Sequence, residues 1–178
     1  MSEGSALAWL AAGGVALIAM TADLYARRIP NWVTGLGLLL GLVLNVTSAA
    51  LVGGVGGFLT GTTQSVVGAL LGGFCLFPFY MIRVGGGRAI GAGDVKLLAA
   101  LGCILGPQSV LSVVFYTALA GAAQSIWILL VQGYVRLWLR QTVVMGMLPK
   151  MSGHRAPYAV AIAVGVCLSA ILPPIVRF

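Results

Sequence analysis

Residues 23–31 read Asp-Leu-Tyr-Ala-Arg-Arg-Ile-Pro-Asn, and they stand between two long apolar runs, at about 5–22 and about 32–51. Each run has the length that crosses a bilayer as a helix, about 20 residues. Between them lie a lone carboxylate, two arginines and a proline. The arrangement predicts two membrane helices joined by a short basic turn. Pro30 suits the first turn of the second helix, where a missing N–H does no harm. Asn31 can satisfy exposed backbone amides there.

Further apolar runs follow at about 65–82, 91–106, 108–131 and 157–175. The expectation is an all-α membrane protein: a polytopic bundle of about six transmembrane helices, forming a single transmembrane domain over 1–178. Composition agrees. Hydrophobic residues make up 60% of the chain and charged ones 7%, and mean hydropathy is +1.08. A soluble domain needs a polar surface that this chain cannot supply. The start, Met-Ser-Glu-Gly, lacks the basic segment of a cleaved signal, so the first run reads as a retained helix. Gly pairs at 37/41, 53/57, 68/72 and 102/106 have the spacing that lets membrane helices approach closely, although Gly-rich helices also show it by chance.

Charge gives an orientation. Arg27, Arg28, Arg83, Arg88, Arg136, Arg140, Lys150 and Arg155 fall in alternate connections, whereas 52–64 and the turn at Pro107 have no cation. Only Arg177 lies opposite, with Lys96 left aside. By the positive-inside rule the termini are non-cytoplasmic. The net charge of +7 is therefore an orientation signal, and nucleic acid is not an expected partner. The segment 132–150 reads as an interfacial amphipathic helix, an extension of span five, or a solvated loop. Asn45-Val-Thr47 matches a glycosylation sequon but lies inside span two and is discounted.

The chain has three carboxylate side chains, Glu3, Asp23 and Asp94. A carboxylate near hydrocarbon is costly, so one that is present marks a candidate functional site. Asp23 ends span one and Asp94 begins span four, both on the cytoplasmic side. Span four is short: Val95 to Leu105 is 11 residues, about 17 Å of helix. Either helix extends back through the Gly-rich stretch, or irregular backbone enters there beside protein or water.

Two aspartates, a water and no metal suffice to hydrolyse a peptide bond. One carboxylate activates water while its protonated partner donates a proton. Two carboxylates in close proximity share one proton, because both cannot ionise cheaply. The chain offers no Ser/His or Cys/His set. Cys75, Cys103 and Cys167 are scattered and His154 is alone, so no metal site and no cofactor are expected. Gly91 and Gly93 would let a substrate backbone approach Asp94. Gly85, Gly86 and Gly87 make the preceding connection permissive, or are simply a flexible turn. Arg28, like Arg27, reads first as a topology anchor, and contact with lipid phosphate or with Asp23 is the sharper alternative. Lys96 points away from Asp94 on a helix, and either neutralises site charge through a bend or reaches the interface.

At these residues the sequence resembles the type IV prepilin peptidases, a branch of the Gly-x-Gly-Asp intramembrane aspartyl proteases. Asp23 with Arg27-Arg28-Ile29-Pro30-Asn31 is similar to the family's Asp…Arg-x-Ile-Pro-Asn. Gly91-Ala92-Gly93-Asp94-Val95-Lys96-Leu97 is similar to Gly-x-Gly-Asp-x-Lys-Leu. Pro157-Tyr158-Ala159-Val160-Ala161-Ile162-Ala163 is similar to the opening of the family's last span, with Ala159 where Gly is common. The resemblance implies a catalytic pair of Asp23 and Asp94. Gly91, Gly93, Lys96, Arg28, Pro30, Asn31, Pro157 and Tyr158 would support the site. It further implies a multi-pass protein of the bacterial inner membrane, in contact with lipid. Its partner would be a prepilin, cut at the cytoplasmic face between a polar leader and an apolar helix. Many relatives carry an added domain with paired Cys-x-x-Cys motifs and methylate the new amino terminus. This sequence has no such motif and resembles the compact, peptidase-only form of tight-adherence (Flp-type) pili, so no N-methyltransferase activity is expected.

Two other classes of function compete. Inward carboxylates also serve proton- or cation-coupled transporters, usually near the bilayer midplane in repeated halves. A non-catalytic pilus-assembly component would not need both aspartates.

Overall fold

In the computed structural model, residues 6–84, 87–88, 90–131 and 158–172 are described. Four helices dominate: α1 (Ala6–Ala26), α2 (Asn31–Met81), α3 (Ala92–Val131) and α4 (Tyr158–Ile171). The one exception to an all-helical chain among the described residues is a minimal antiparallel ribbon. In it β1 (Arg83–Val84) pairs with β2 (Gly87–Arg88), with Arg83 opposite Arg88. Of the expected permissive connection, Gly87 lies in β2 and Gly85 and Gly86 lie outside the described residues; a bend at Ile90 precedes α3. The helix of span four begins at Ala92 and so does not extend back through Gly91.

Helices α1 and α2 bury mostly small residues and expose large apolar ones. On α1, Ala8, Ala12, Val15, Ala16 and Ala19 face inward, while Leu7, Leu10, Leu17, Ile18 and Leu24 face outward. In water that arrangement would waste the hydrophobic effect. In lipid, where tails are as apolar as leucine, close backbone packing through small residues drives association instead. α1, α2 and the Ala92–Ile128 part of α3 are long and apolar enough to cross a membrane, and α4 is a shorter apolar helix. The chain is an integral membrane protein.

The two long helices are each folded back on themselves. Gly54 has φ 55° and ψ −131°, and Gly106 has φ 76° and ψ 175°. Side chains rarely adopt such backbone, so glycine is required at both positions. The reversal at Gly54 is visible in its neighbours. A methyl added at Gly61 would stand 2.5 Å from the Asn45 carbonyl oxygen, and one at Gly57 would strike that of Ala49. In a straight helix, residues 45 and 61 would be about 24 Å apart. Segments 31–53 and 55–81 are therefore antiparallel partners. Segments 92–105 and 107–131 are likewise packed together, with Gly102 against Val110.

The expected cation-free connection at 52–64 is corrected. Apart from Gly54 it is helix, and its hydroxyls are satisfied internally. Thr60 donates to Gly57 C=O at 2.9 Å, Thr62 to Phe58 C=O at 2.8 Å and Thr63 to Thr60 C=O at 2.9 Å. Such local bonds let polar residues sit in an apolar helix. Of the expected Gly contacts, Gly37, Gly41, Gly57, Gly68, Gly72 and Gly102 meet neighbouring helix backbone or side chains. Gly53 touches nothing, and Gly106 serves the turn.

Segment 92–105 is the most enclosed part of the bundle. Leu97, Leu98, Ala100, Leu101 and Ile104 have no exposed surface. It ends where Pro107 has no N–H to offer the Cys103 carbonyl, so that acceptor is orphaned. Asn45 supplies the missing donor. Its Nδ2 bonds Cys103 C=O at 2.8 Å and Ile104 C=O at 3.2 Å. The residue discounted as a sequon caps the helix that begins near Asp94.

Candidate active site

Asp23 lies in the last turns of α1 and is half-buried. The helix ends when the Arg27 N–H donates to Asp23 C=O at 2.8 Å. Arg27 has φ 50°, a left-handed conformation at a residue that is not glycine. That conformation costs about 1–2 kcal/mol, and nothing in the sequence marked it. Arg27 and Arg28 are exposed.

Two expectations about the turn are corrected. Pro30 stands just before the first turn of α2, with extended backbone (φ −64°, ψ 138°), and no side chain caps this end. Asn31 does not satisfy backbone amides. Its Oδ1 accepts from Lys96 Nζ at 3.0 Å, across 65 positions of sequence. Lys96 is exposed.

Asp94 is the third residue of α3 and only 8% exposed. Its Oδ2 accepts the Gly91 N–H at 3.2 Å, while its own N–H donates to Gly91 C=O at 3.2 Å. This is half of a capping box: a carboxylate at the third helical position reaches back to the cap residue's amide. A methyl at Gly91 would stand 3.0 Å from Asp94 Oδ2, so Gly91 keeps room for the carboxylate. Gly93 has a different use from the one expected. The space that was to admit a substrate backbone is taken by Ile29, whose Cβ would be 3.1 Å from an added methyl.

Asp23 and Asp94, 71 positions apart in sequence, lie within electrostatic range of each other. Tyr158, at the first residue of α4, is within range of Asp94, and its ring sits where a methyl on Gly121 would be 2.9 Å from Cε2. The fold thus brings Asp23, Asp94, Gly91, Gly93, Lys96, Pro30, Asn31 and Tyr158 to one end of the bundle. Pro157 and the segment 132–155 lie outside the described residues. Among the described residues no group of three His, Cys, Asp or Glu side chains could hold a metal ion. Sequence reasoning missed Ile29 as a packing partner and Asn45 as a cap. The first was present in a quoted motif. The second had no signal beyond a polar residue in an apolar run.

Fold and site together define a helical integral membrane protein that carries a carboxylate pair at one end of a small-residue bundle. A family model described as type IV leader peptidase family matches residues 10–126, and the chain belongs to that family. The matched span contains both aspartates and ends before 157–163. Comparison with curated proteins gave no match, and comparison with solved structures gave none.

Proposed function

We propose that this chain is a membrane aspartyl endopeptidase that removes the leader from type IV-like, Flp-type prepilins at the cytoplasmic membrane face. One observation carries the reading. In a chain of the leader peptidase family, with only three carboxylate side chains in its sequence, two of them come within electrostatic range at one end of the bundle. Asp23 and Asp94 share one proton. The ionised member withdraws a proton from water as that water attacks the scissile carbonyl. The protonated member donates its proton to the carbonyl oxygen; the proton taken from water then passes from the first carboxyl to the leaving amine, and the second carboxylate recovers a proton from the collapsing diol. Gly91, Gly93, Lys96, Arg28, Pro30, Asn31, Pro157 and Tyr158 support the pair.

The chain forms one transmembrane peptidase domain in the bacterial inner membrane. Its six spans are divided at Gly54 and Gly106, with non-cytoplasmic termini. The alternation of cationic and cation-free connections supports that orientation. The absence of any Cys-x-x-Cys in the sequence supports a peptidase without N-methyltransferase activity. Family membership favours proteolysis over the transport reading of the same two aspartates.

The test is direct. Detergent-solubilised protein is incubated with a Flp-type prepilin, and leader loss is followed by mass spectrometry. A shortened subunit with a free, unmethylated amino terminus is expected, at a rate unaffected by EDTA. An intact prepilin would leave the transport and scaffold readings in place. Inhibition by EDTA that zinc reverses would contradict the two-aspartate chemistry.

A further inference from the structure

The turn that follows Asp23 touches α3 on both sides of Asp94. Ile29 lies on Gly93, where an added methyl would stand 3.1 Å from its Cβ, 3.4 Å from Cγ1 and 3.5 Å from Cδ1. Asn31 bonds Lys96 at 3.0 Å. The two spacings match for a geometric reason. Gly93 and Lys96 are three apart on a helix and so share a face. Ile29 and Asn31 are two apart across Pro30, whose backbone is extended, so their side chains leave on the same side. The pair on the turn therefore registers with the pair on the helix. Asp94 stands on the flank of that face, about 100° around the helix from Gly93.

Resting on the reading of Asp23 and Asp94 as a working pair, we propose that Ile29 and Asn31 are positioning residues. They form a clasp that fixes the first turn of α3 against the end of α1 and so sets the approach of the two carboxylates. Its two contacts restrain different motions. Ile29 against Gly93 sets how near the helix end comes, because any larger residue at 93 pushes it off. Asn31 against Lys96 sets the rotation of α3 about its axis, which aims Asp94. The first turn of a helix needs such restraint, since helix ends fray. On this account the Ile-Pro-Asn string holds the Gly-x-Gly-Asp-x-Lys string, and neither needs to touch the substrate at these positions.

The experiment compares Gly93→Val, Ile29→Ala, the Ile29→Ala/Gly93→Val double variant, Asn31→Leu and Lys96→Arg. Gly93→Val and Asn31→Leu are each expected to lower kcat about ten- to a hundredfold with KM near the parent value, as small misplacements of reacting groups do. The double variant trims the side chain that the added bulk at position 93 displaces, and it recovers most of the Gly93→Val loss. Lys96→Arg keeps a donor for Asn31 and is expected to lose less of kcat than Asn31→Leu does; an equal loss would overturn this half of the clasp. Parental kcat in Gly93→Val, or no recovery in the double variant, would overturn the clasp.

A second measurement does not depend on cleavage. In a background lacking Cys75, Cys103 and Cys167, cysteines at 23 and 94 are joined by a short bifunctional thiol reagent. Joining is expected to be fast with the clasp intact and severalfold slower with Asn31→Leu or Gly93→Val. Equal rates would overturn the clasp. Activity that survives loss of either aspartate would overturn the peptidase reading, yet the crosslinking result would still decide the clasp.

Discussion

Asp94 has two physical tasks that a single substitution can separate. Its carboxylate accepts the Gly91 N–H and so caps α3, and it is half of the proposed pair with Asp23. Asn keeps an acceptor oxygen but cannot serve as the proposed acid or base. Ala keeps neither. Asp94→Ala is therefore expected to lose about 1 kcal/mol of stability relative to Asp94→Asn, the usual cost of a lost cap, with both inactive. Thermal unfolding in detergent reads the difference, and equal melting temperatures would remove the cap from the account. Gly91→Ala places a methyl 3.0 Å from Asp94 Oδ2. It is expected to impair cleavage more than it lowers stability, because what must yield is the carboxylate itself. Thr117 offers the opposite case. Its buried hydroxyl has no partner among the described residues. Replacing it with Val should raise stability by about 1 kcal/mol, and a lower melting temperature would show that the hydroxyl is satisfied.

Among the elements, the short first segment of α3 depends on features outside itself. Gly106 turns the chain, Pro107 withholds a donor, and Asn45 supplies one from α2. Asn45→Leu leaves at least one buried carbonyl unpaired and is expected to cost about 1–3 kcal/mol. Gly106→Ala forces a side chain into backbone that only glycine adopts easily, at a similar cost. Both would be read as a lower melting temperature, and an unchanged one would contradict the packing described. These features also mark the limit of what sequence reveals. The apolar runs, the break at Pro107 and both aspartates were legible, because length, an absent N–H and a charge beside hydrocarbon are local properties. Asn45, Ile29 and Gly54 were not. A polar residue in a span and an isoleucine in a turn acquire meaning only from a partner dozens of positions away, and one glycine among many only from the backbone conformation it takes up. The stretch 52–64, expected as a connection, is helix apart from Gly54 and carries three threonines. The helix absorbs them by bonding each hydroxyl to a carbonyl three or four residues back.

For the molecule as a whole, the large apolar side chains that α1 and α2 expose fit lipid as the solvent, and the folded-back helices set where each connection emerges. The proposed topology places the turn at Arg28 on the cytoplasmic side and the reversal at Gly54 on the other. A single cysteine at Arg28 should react with a membrane-impermeant reagent only from the cytoplasmic side. One at Val52, which is 92% exposed, should react only from the opposite side. Labelling of both from one side would contradict the proposed orientation and spans. That topology bears on the chemistry, since it puts both carboxylates where a leader can reach them and an apolar helix can remain in the bilayer.

The central claim is that Asp23 and Asp94 act together on one amide bond. It is tested most directly by presenting a Flp-type prepilin to the parent protein, to Asp23→Asn and to Asp94→Asn, each shown to be folded and inserted, and weighing the product. Complete leader loss is expected with the parent and none with either variant. A fully processed subunit from either one would contradict the claim.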